Sequence, residues 1–538
     1  MKVIQSIRLI LLSVAAIAAQ CVAATNRPNI LFCIADDASY AHFSANGCRW
    51  VNTPAFDRIA REGLLFSRAY TPNSKCAPSR AVVLTGRNSW QLESAANHGG
   101  YWPEGKYRTF VETLGENGYH TGMTGKGWGP GDPGHLNGRA RQLAGRPYND
   151  KRKTPLTDKI SPVDYAGNFA AFLQDRPAGK PFCFWFGAHE PHRDYSRGSG
   201  IRLGGKSPGQ IDRVPLYLPD TPAVRSDMLD YALEIEYFDA QLGLVLDVLE
   251  KTGELENTIV VVTSDNAMPF PRLKGTTYEA ALHLPLAIRW GRGIAHPGRT
   301  VNDLVSFIDF APTFLDAADI DPVKTSMESI QGGSLLDIFR NTDDGKIQPG
   351  RESLFTGQER HDLGRPNDVG YPVRGMLTER FLYLHNFEPA RWPMCDPITG
   401  YLNTDGGPSK TAVLEENRKG INHWRWELDF GRRPAEELYD LQSDPDCIVN
   451  LAADPDFDST RVQMKERLFS ALREQRDPRM EGKGEVFDRY PHASALRNFY
   501  ERYLKGERLR TPWVEESDYE SHDFDAERPL APRHPVGR

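Results

Sequence analysis

Cys76 opens the run CAPSR (residues 76–80), inside the longer stretch TPNSKCAPSRAVVLTG (71–86). Pro78 suits the first turn of a helix running through Val83, and Gly86 suits its end. Arg80, four residues on, then shares a helix face with Cys76. A helix N-terminus beside a guanidinium stabilises an anion. Taken alone, this setting describes a thiol of low pKa or half of a disulfide. Two acidic pairs offer a different chemistry. Asp36 and Asp37 close the apolar run NILFCIADD, and Asp265 with Asn266 closes TIVVVTSDN. Three carboxylates and an amide oxygen are hard ligands suited to Ca2+ or Mg2+, although any one of them alone ordinarily caps a turn. His189 and His192 end a third apolar run, PFCFWFGAHEPH. Histidine titrates near neutrality and so suits proton transfer.

These groups lie far apart in the chain, so a particular fold must bring them together. The runs beginning at residues 29, 181 and 258 are short and apolar on both faces, which predicts central strands of a parallel sheet covered by helices. Each turns polar at its C-terminal end, the edge where open α/β sheets bind ligands. Residues 225–253 carry helical periodicity and a stopping glycine. The expected fold class is α/β, with the large sheet and its helices over residues 25–345. After the loop-rich NTDDGKIQPGRES (341–353), a smaller α+β subdomain with an antiparallel sheet is expected over 346–482. YPVRGMLTERFLYLHNF (371–387) reads as its strands, and AEELYDLQSDPDCIVNLA (435–452) as a strand and turn before a helix near 461–475. Residues 483–538 are charged and proline-punctuated, and predict a surface-wrapping or partly disordered extension.

The 538 residues carry a formal charge of −7 and are 39% hydrophobic, an ordinary globular composition. No long basic run gives a footprint for nucleic acid. Residues 1–24 read as an export signal, with Lys2 and Arg8 ahead of an apolar run and small residues before the cleavage point. That run is short for a spanning helix, and no later segment is apolar enough to cross a bilayer. Lipid attachment at Cys21 is an alternative. The sequence holds no Asn-x-Ser/Thr site, which favours a bacterial periplasmic or secreted location over a eukaryotic secretory route. The seven cysteines show no metal-type spacing. Cys33 and Cys183 fall inside strand-like runs, as small buried hydrophobes do, and a disulfide elsewhere cannot be assigned.

CAPSR followed by LTGR (84–87) resembles the signature of the type I, formylglycine-dependent sulfatases. The resemblance extends through RPNILFCIADD, TGKGW (124–128), SDN, KGTTYEAALHLPLAIRW (274–290) and ELYDLQSDPDCIVNLA, in the expected order over most of the chain. HEPHRDY (189–195), LYLPDTPAVRSDM (216–228), SDNAMPFPR (264–272) and GYPVRGM are similar to the N-sulfoglucosamine sulfohydrolase, or heparan sulfamidase, branch. Asn266 there stands where many sulfatases carry histidine. The resemblance implies an alkaline-phosphatase-like sandwich. It implies conversion of Cys76 to formylglycine by a formylglycine-generating or equivalent maturation enzyme. It also assigns one divalent cation, Ca2+, to Asp36, Asp37, Asp265, Asn266 and position 76. Arg80 would hold the hydrated formylglycine and the metal shell, Lys126 and Lys274 the sulfate oxygens, and His189 would protonate the leaving group. His192 and Arg272 would contact substrate. In the implied mechanism one hydroxyl of the hydrate attacks sulfur, and the other lets the sulfated intermediate collapse by elimination.

One position departs from the pattern. Many sulfatases carry a histidine two residues after the motif lysine, where this chain has Trp128. His98 or His135 would then stand in, and Trp128 would form a sugar-stacking wall. Glu359, Arg360 and His361 of GQERHD (357–362) fall in a loop after a strand, where specificity residues sit. The substrate this implies is a sulfated saccharide, cut at its ends: N-sulfated glucosamine first, an O-sulfated polysaccharide unit second. Two other readings remain at this point. One is a phosphodiesterase or phosphonate hydrolase of the same superfamily. The other is a sulfated-glycan binder without turnover.

Overall fold

The strands Asn29–Ala35 and Thr258–Ser264 are buried along their whole length, because aliphatic and aromatic side chains project to both faces and helices cover each. They run parallel and in register, from Asn29 beside Thr258 to Ala35 beside Ser264. Phe182–Gly187 flanks the first strand in parallel, with Ile30 beside Cys183, and His120–Gly125 lies beyond it, with Gly125 beside Gly187. This register aligns four C-terminal ends. Asp36, Asp265, Lys126 and His189 therefore leave the sheet along one edge although they are scattered over the sequence.

The computed structural model describes residues 27–136, 138–522 and 524. The expected export signal (1–24) and the end of the C-terminal extension lie outside them. Among the described residues, eight strands form the large sheet, in the order Arg299–Val301, Leu64–Phe66, Leu286–Arg289, Thr258–Ser264, Asn29–Ala35, Phe182–Gly187, His120–Gly125 and Arg146–Pro147. Leu286–Arg289 runs antiparallel to both neighbours, so the sheet is mostly but not wholly parallel. The longest described helix, Pro222–Lys251, starts with Pro222 in its first turn and with the Thr221 hydroxyl accepting from the Val224 N–H. Leu229, Ile235, Leu242 and Leu249 are among the residues it buries in the core.

A second, antiparallel sheet joins Ser353–Gln358, Val373–Thr378, Phe381–Asn386 and Glu436–Asp440. Helix Asp458–Glu474 covers it with Met464, Leu468 and Leu472. The sheets fall on either side of residue 345, but the cores do not divide there. Met394, Tyr401, Leu414, Trp426 and Phe430 belong to the same apolar cluster as Ile30 and Phe184. Their helices, Pro408–Arg418 and His423–Asp429, pack back toward the large domain rather than onto the small sheet. The described part of the extension is anchored by apolar residues. Phe487 joins the cluster under the small sheet, and Phe499 joins Leu363, Cys395 and Leu402. The six described cysteines are all free. No described helix is long and apolar enough to cross a membrane.

Candidate active site

Cys76 opens the helix Cys76–Thr85, which ends at Gly86 in the left-handed conformation, φ 66°. Its position as a helix entrance places it inside the protein: Cys76 is 1% exposed. The Sγ lies 3.5 Å from Asp36 Oδ1 and 4.0 Å from Asp37 Oδ1. One donor atom from each of Asp36, Asp37, Cys76 and Asp265 falls within 4.8 Å of the others. Asn266 donates through Nδ2 to Asp37 Oδ1 and Ala267 O, and its own Oδ1 is buried with no hydrogen-bond partner. An orphaned amide oxygen beside three carboxylates is a donor set that fits a hard divalent cation.

Burial and nearby cations act unequally on the three carboxylates. Burial pushes Asp265 up to about 6 and raises Asp37. Burial also opposes ionisation of Asp36, but Lys126 and Arg80 outweigh it and hold that carboxyl well below the usual range. The Cys76 thiol is pushed well up, with burial as the leading cause. That is the reverse of an activated thiol, so the low-pKa reading of the CAPSR run does not hold.

Three cations lock these acids. Arg80 donates from Nε to Asp265 Oδ2 at 2.8 Å and from Nη1 to the Lys126 and Gly127 carbonyls, while its buried Nη2 has no hydrogen bond. Lys126 Nζ reaches Asp36 Oδ2 at 2.5 Å. Lys274 Nζ joins Asp37 Oδ2 at 2.7 Å to Asp405 Oδ2 at 2.8 Å. His192 Nε2 stands 3.9 Å from Asp37 Oδ2. The His189 backbone N–H donates to the Tyr165 hydroxyl, which in turn donates to the Glu190 carboxylate. Burial pushes His189 and His192 down to about 4, below the near-neutral value expected for His189.

Two adjoining cavities meet at this cluster. One, of about 450 Å³, contains Cys76, Lys75, His98, Lys274, Asp362 and Asp405. The other, of about 560 Å³, contains Asp36, Lys126, His189 and Glu234, and His192 and Pro130 line both. The structure thus brings together Asp36, Asp37, Cys76, Arg80, Lys126, His189, His192, Asp265, Asn266 and Lys274.

Four expected substrate contacts are placed elsewhere. Arg272 is 1% exposed, and it donates to the Leu428, Asp446 and Cys447 carbonyls while stacking on Tyr278. It ties the large domain to the C-terminal region, sharing the Leu428 carbonyl with Arg433. Glu359 is buried between Arg374 and Arg479. His361 is buried with Nε2 on Asn73 Oδ1 at 2.7 Å and Nδ1 on the Gly275 carbonyl at 3.2 Å. Trp128 packs edge-on against Trp102 at 5.2 Å and lies against Gly131, where a Cβ would come within 2.5 Å of its ring. It buttresses the loop that carries Pro130 rather than facing either cavity. Of the two stand-in histidines, His98 lines the Cys76 cavity with Nδ1 3.2 Å from Asp362 Oδ1, whereas His135 is exposed on a short strand.

Sequence reasoning missed Lys75, Asp362 and Asp405. Lys75 is 1% exposed, and its Nζ meets Asp362 Oδ2 at 2.7 Å and both oxygens of Asn403 at 3.2 Å. Lys75 adjoins Cys76 and Asp362 ends GQERHD, so both lay beside stretches already singled out. Asp405 had no such signal.

The Sulfatase family model matches residues 28–320, and a model for the N-sulphoglucosamine sulphohydrolase C-terminal region matches residues 273–397. An ulvan-active sulfatase of Formosa agariphila is 27% identical over 467 residues, covering 85% of this chain and 82% of its own length. Human N-sulphoglucosamine sulphohydrolase is 27% identical over 481 residues, 84% of this chain and 91% of its own. Among solved structures, a protein in complex with its substrate D-glucosamine-2-N,6-O-disulfate superposes with a TM-score of 0.57 at 22% identity, over 84% of this chain and 98% of its own. A phosphonate monoester hydrolase of Agrobacterium radiobacter gives 0.56 at 20% identity, over 84% and 96%. The shared architecture is the alkaline-phosphatase-like fold.

Proposed function

The chain belongs to the sulfatase family, near its N-sulphoglucosamine sulphohydrolase branch, and from that premise we propose that it removes sulfate from the ends of sulfated saccharides. It is a sulfuric ester hydrolase by family. The observation that carries the finer reading is Cys76 at a helix start, with three carboxylates and the orphaned Asn266 Oδ1 around it. The names of the relatives, an ulvan-active sulfatase and an N-sulphoglucosamine sulphohydrolase, support a carbohydrate substrate.

In this reading Asp36, Asp37, Asp265, Asn266 and position 76 hold one divalent cation, Ca2+ by the chemistry of an all-oxygen set. When bound, the cation supplies concentrated positive charge that favours an ionised oxygen nucleophile and offsets charge on the sulfate. Formylglycine, made from Cys76 by a maturation enzyme, supplies that nucleophile as its hydrate. Arg80 keeps the acidic floor in place: Asp265 and two carbonyls fix its guanidinium in one orientation. Lys126 and Lys274 have their ammonium groups at the cluster already, so they meet sulfate oxygens without costly rearrangement. Burial holds His189 down to about 4, so it is neutral at pH 7. A sulfate anion beside it favours the imidazolium, since an opposite charge stabilises the charged form, and the proton then goes to the departing sugar oxygen or nitrogen. Export, read from residues 1–24, places this activity outside the cytoplasm.

The test has two parts. Peptide mass around position 76 is expected about 18 Da below the cysteine form, as an aldehyde replaces a thiol. Sulfate release is then scored on N-sulfated glucosamine, O-sulfated oligosaccharides and a phosphonate monoester. An unmodified Cys76 in protein that nevertheless turns over, or preference for the phosphonate, would overturn the reading.

A further inference from the structure

The cavity that holds Cys76 is not completed by the family's core. Leu496, Phe499 and Trp513 line it together with Leu402, and all four lie beyond residue 397, where the second family model ends. This part of the chain is fastened on both sides of the cavity mouth. The Ala493 N–H donates to the Gly99 carbonyl at 2.7 Å. The His492 ring presses so closely on Gly99 that a Cβ there would lie 2.2 Å from Nε2. Asp368 accepts from the Asn498 and Phe499 N–H groups. At the far end Trp513 donates from Nε1 to the Leu402 carbonyl at 2.9 Å, and its own carbonyl accepts from Gly406. The indole is thereby held in one orientation while remaining partly exposed.

Part of the remaining lining is polar and fixed. Lys75, Asp362 and His98 form a buried chain of contacts, from Nζ to Oδ2 at 2.7 Å and from Oδ1 to Nδ1 at 3.2 Å. A space of about 450 Å³ with one apolar wall and one rigid polar wall suits a sugar ring. The ring's C–H face stacks on an aromatic plane, and its hydroxyls are read by groups that a wrong sugar would leave unpaired.

Resting on the saccharide reading above, we propose that the C-terminal strap, residues 492–513, is the specificity wall of the active site. Trp513 is the platform for the sugar ring that carries the sulfate, and Lys75, His98 and Asp362 read its substituents. The strap selects substrate and takes no part in bond breaking.

The experiment compares the full-length matured enzyme with W513A, W513F and L496A on N-sulfated glucosamine, an O-sulfated disaccharide and 4-nitrophenyl sulfate. W513A is expected to lower the saccharide-to-aryl ratio of kcat/KM about tenfold through KM, the size of an aromatic contact. W513F should recover most of that ratio, and L496A should lower it about threefold. Saccharide turnover with an unmoved ratio overturns the strap inference and leaves the sulfatase reading standing. An equal loss on all substrates, accompanied by a lowered Tm, also overturns it, because it shows a structural role only. Aryl sulfate turnover without any saccharide turnover by the wild-type enzyme removes the saccharide premise, and the inference with it. If W513A does not fold, the other two variants decide.

Discussion

Two buried charge clusters are built from the same residue types and come to opposite ends. Beside the small sheet, Arg374 donates to Asp477 at 2.6 Å and to Glu359 at 2.7 Å, and Arg479 clasps Glu359 through two nitrogens. Two acids meet two arginines, with Trp90 and Phe487 over the Arg374 guanidinium. At the edge of the large sheet, Asp36, Asp37 and Asp265 face Arg80, Lys126 and Lys274, yet Asn266 Oδ1 and Arg80 Nη2 have no hydrogen-bond partner. Asp37 and Asp265 are also raised by their burial. The closed cluster satisfies itself and so has structural work only. The open one sets three acids against three cations and still leaves a buried donor and a buried acceptor unpaired, which marks it as a candidate ligand site.

The sharpest way to break this contrast is at position 76. Cys76→Ala should cut sulfate release by at least about 10⁴-fold, because it removes the proposed nucleophile. The Tm should stay near wild type, since a small buried side chain replaces another. Cys76→Ser should be nearly as inactive and should stall as a covalent sulfate ester, visible by mass spectrometry. Residual turnover within tenfold of wild type would contradict the assignment.

Next in size is the cation. Chelation and dialysis should remove activity, with Ca2+ restoring it better than Zn2+. Asp265→Asn should lose roughly 10³-fold, on the order of an electrostatic catalytic group, and Ca2+ should not rescue it. Full activity in excess chelator would close the open cluster and end the comparison.

The closed cluster should respond in the opposite currency. Glu359→Gln or Asp477→Ala leaves a buried arginine short of charge and should cost about 3–5 kcal/mol in denaturant unfolding. The kcat and substrate selectivity of the folded fraction should change less than twofold. A selective loss on one sugar would return Glu359 to the substrate.

The smallest effect is a pH dependence. Burial raises Asp265 to about 6 in the fold, against about 4 unfolded. The cation-free fold therefore holds an extra proton between those values, and its stability falls as pH rises through that window. A cation needs the ionised carboxylate, so the Tm gain on adding Ca2+ should grow from pH 5 to pH 7, by about 1 °C for each kcal/mol at this chain length. Asp362 behaves the other way. Burial opposes its charge, but Lys75 and His98 hold it well below its usual value. Its contribution is present above about pH 4 and is lost as pH falls through its folded pKa. Asp362→Asn should flatten the acid limb of Tm below pH 4. A Ca2+ gain that is the same at pH 5 and pH 7 would mean that no proton is displaced.

How much of this was legible beforehand divides along a physical line. The strands at 29, 182 and 258, the helix ended by Gly86, the long helix ended near Gly253 and the antiparallel strands of the small sheet were all readable. Apolar run length, helical periodicity and glycine or proline stops are local properties, set by nearest neighbours and by which faces must be buried. The polar ends of those strands pointed to one edge because parallel register aligns C-terminal ends. Asp36, Asp37, Asp265, Asn266, His189 and His192 follow from that alone, the CAPSR run added Cys76 and Arg80, and Lys126 and Lys274 came only with the family resemblance. Loop side chains followed no such rule. Glu359, His361 and Arg272 turn inward because buried arginines, amides and carbonyls from distant segments must be paired, and no local pattern announces a partner more than 100 residues away. Asp405 reaches Lys274 across the two regions for the same reason, and the apolar residues of 394–430 join the large core across the expected boundary. Local sequence determined which elements form and which of their ends carry chemistry. Only the tertiary structure decided which charges meet, since neutralising a buried charge is settled by whatever the packing brings within reach.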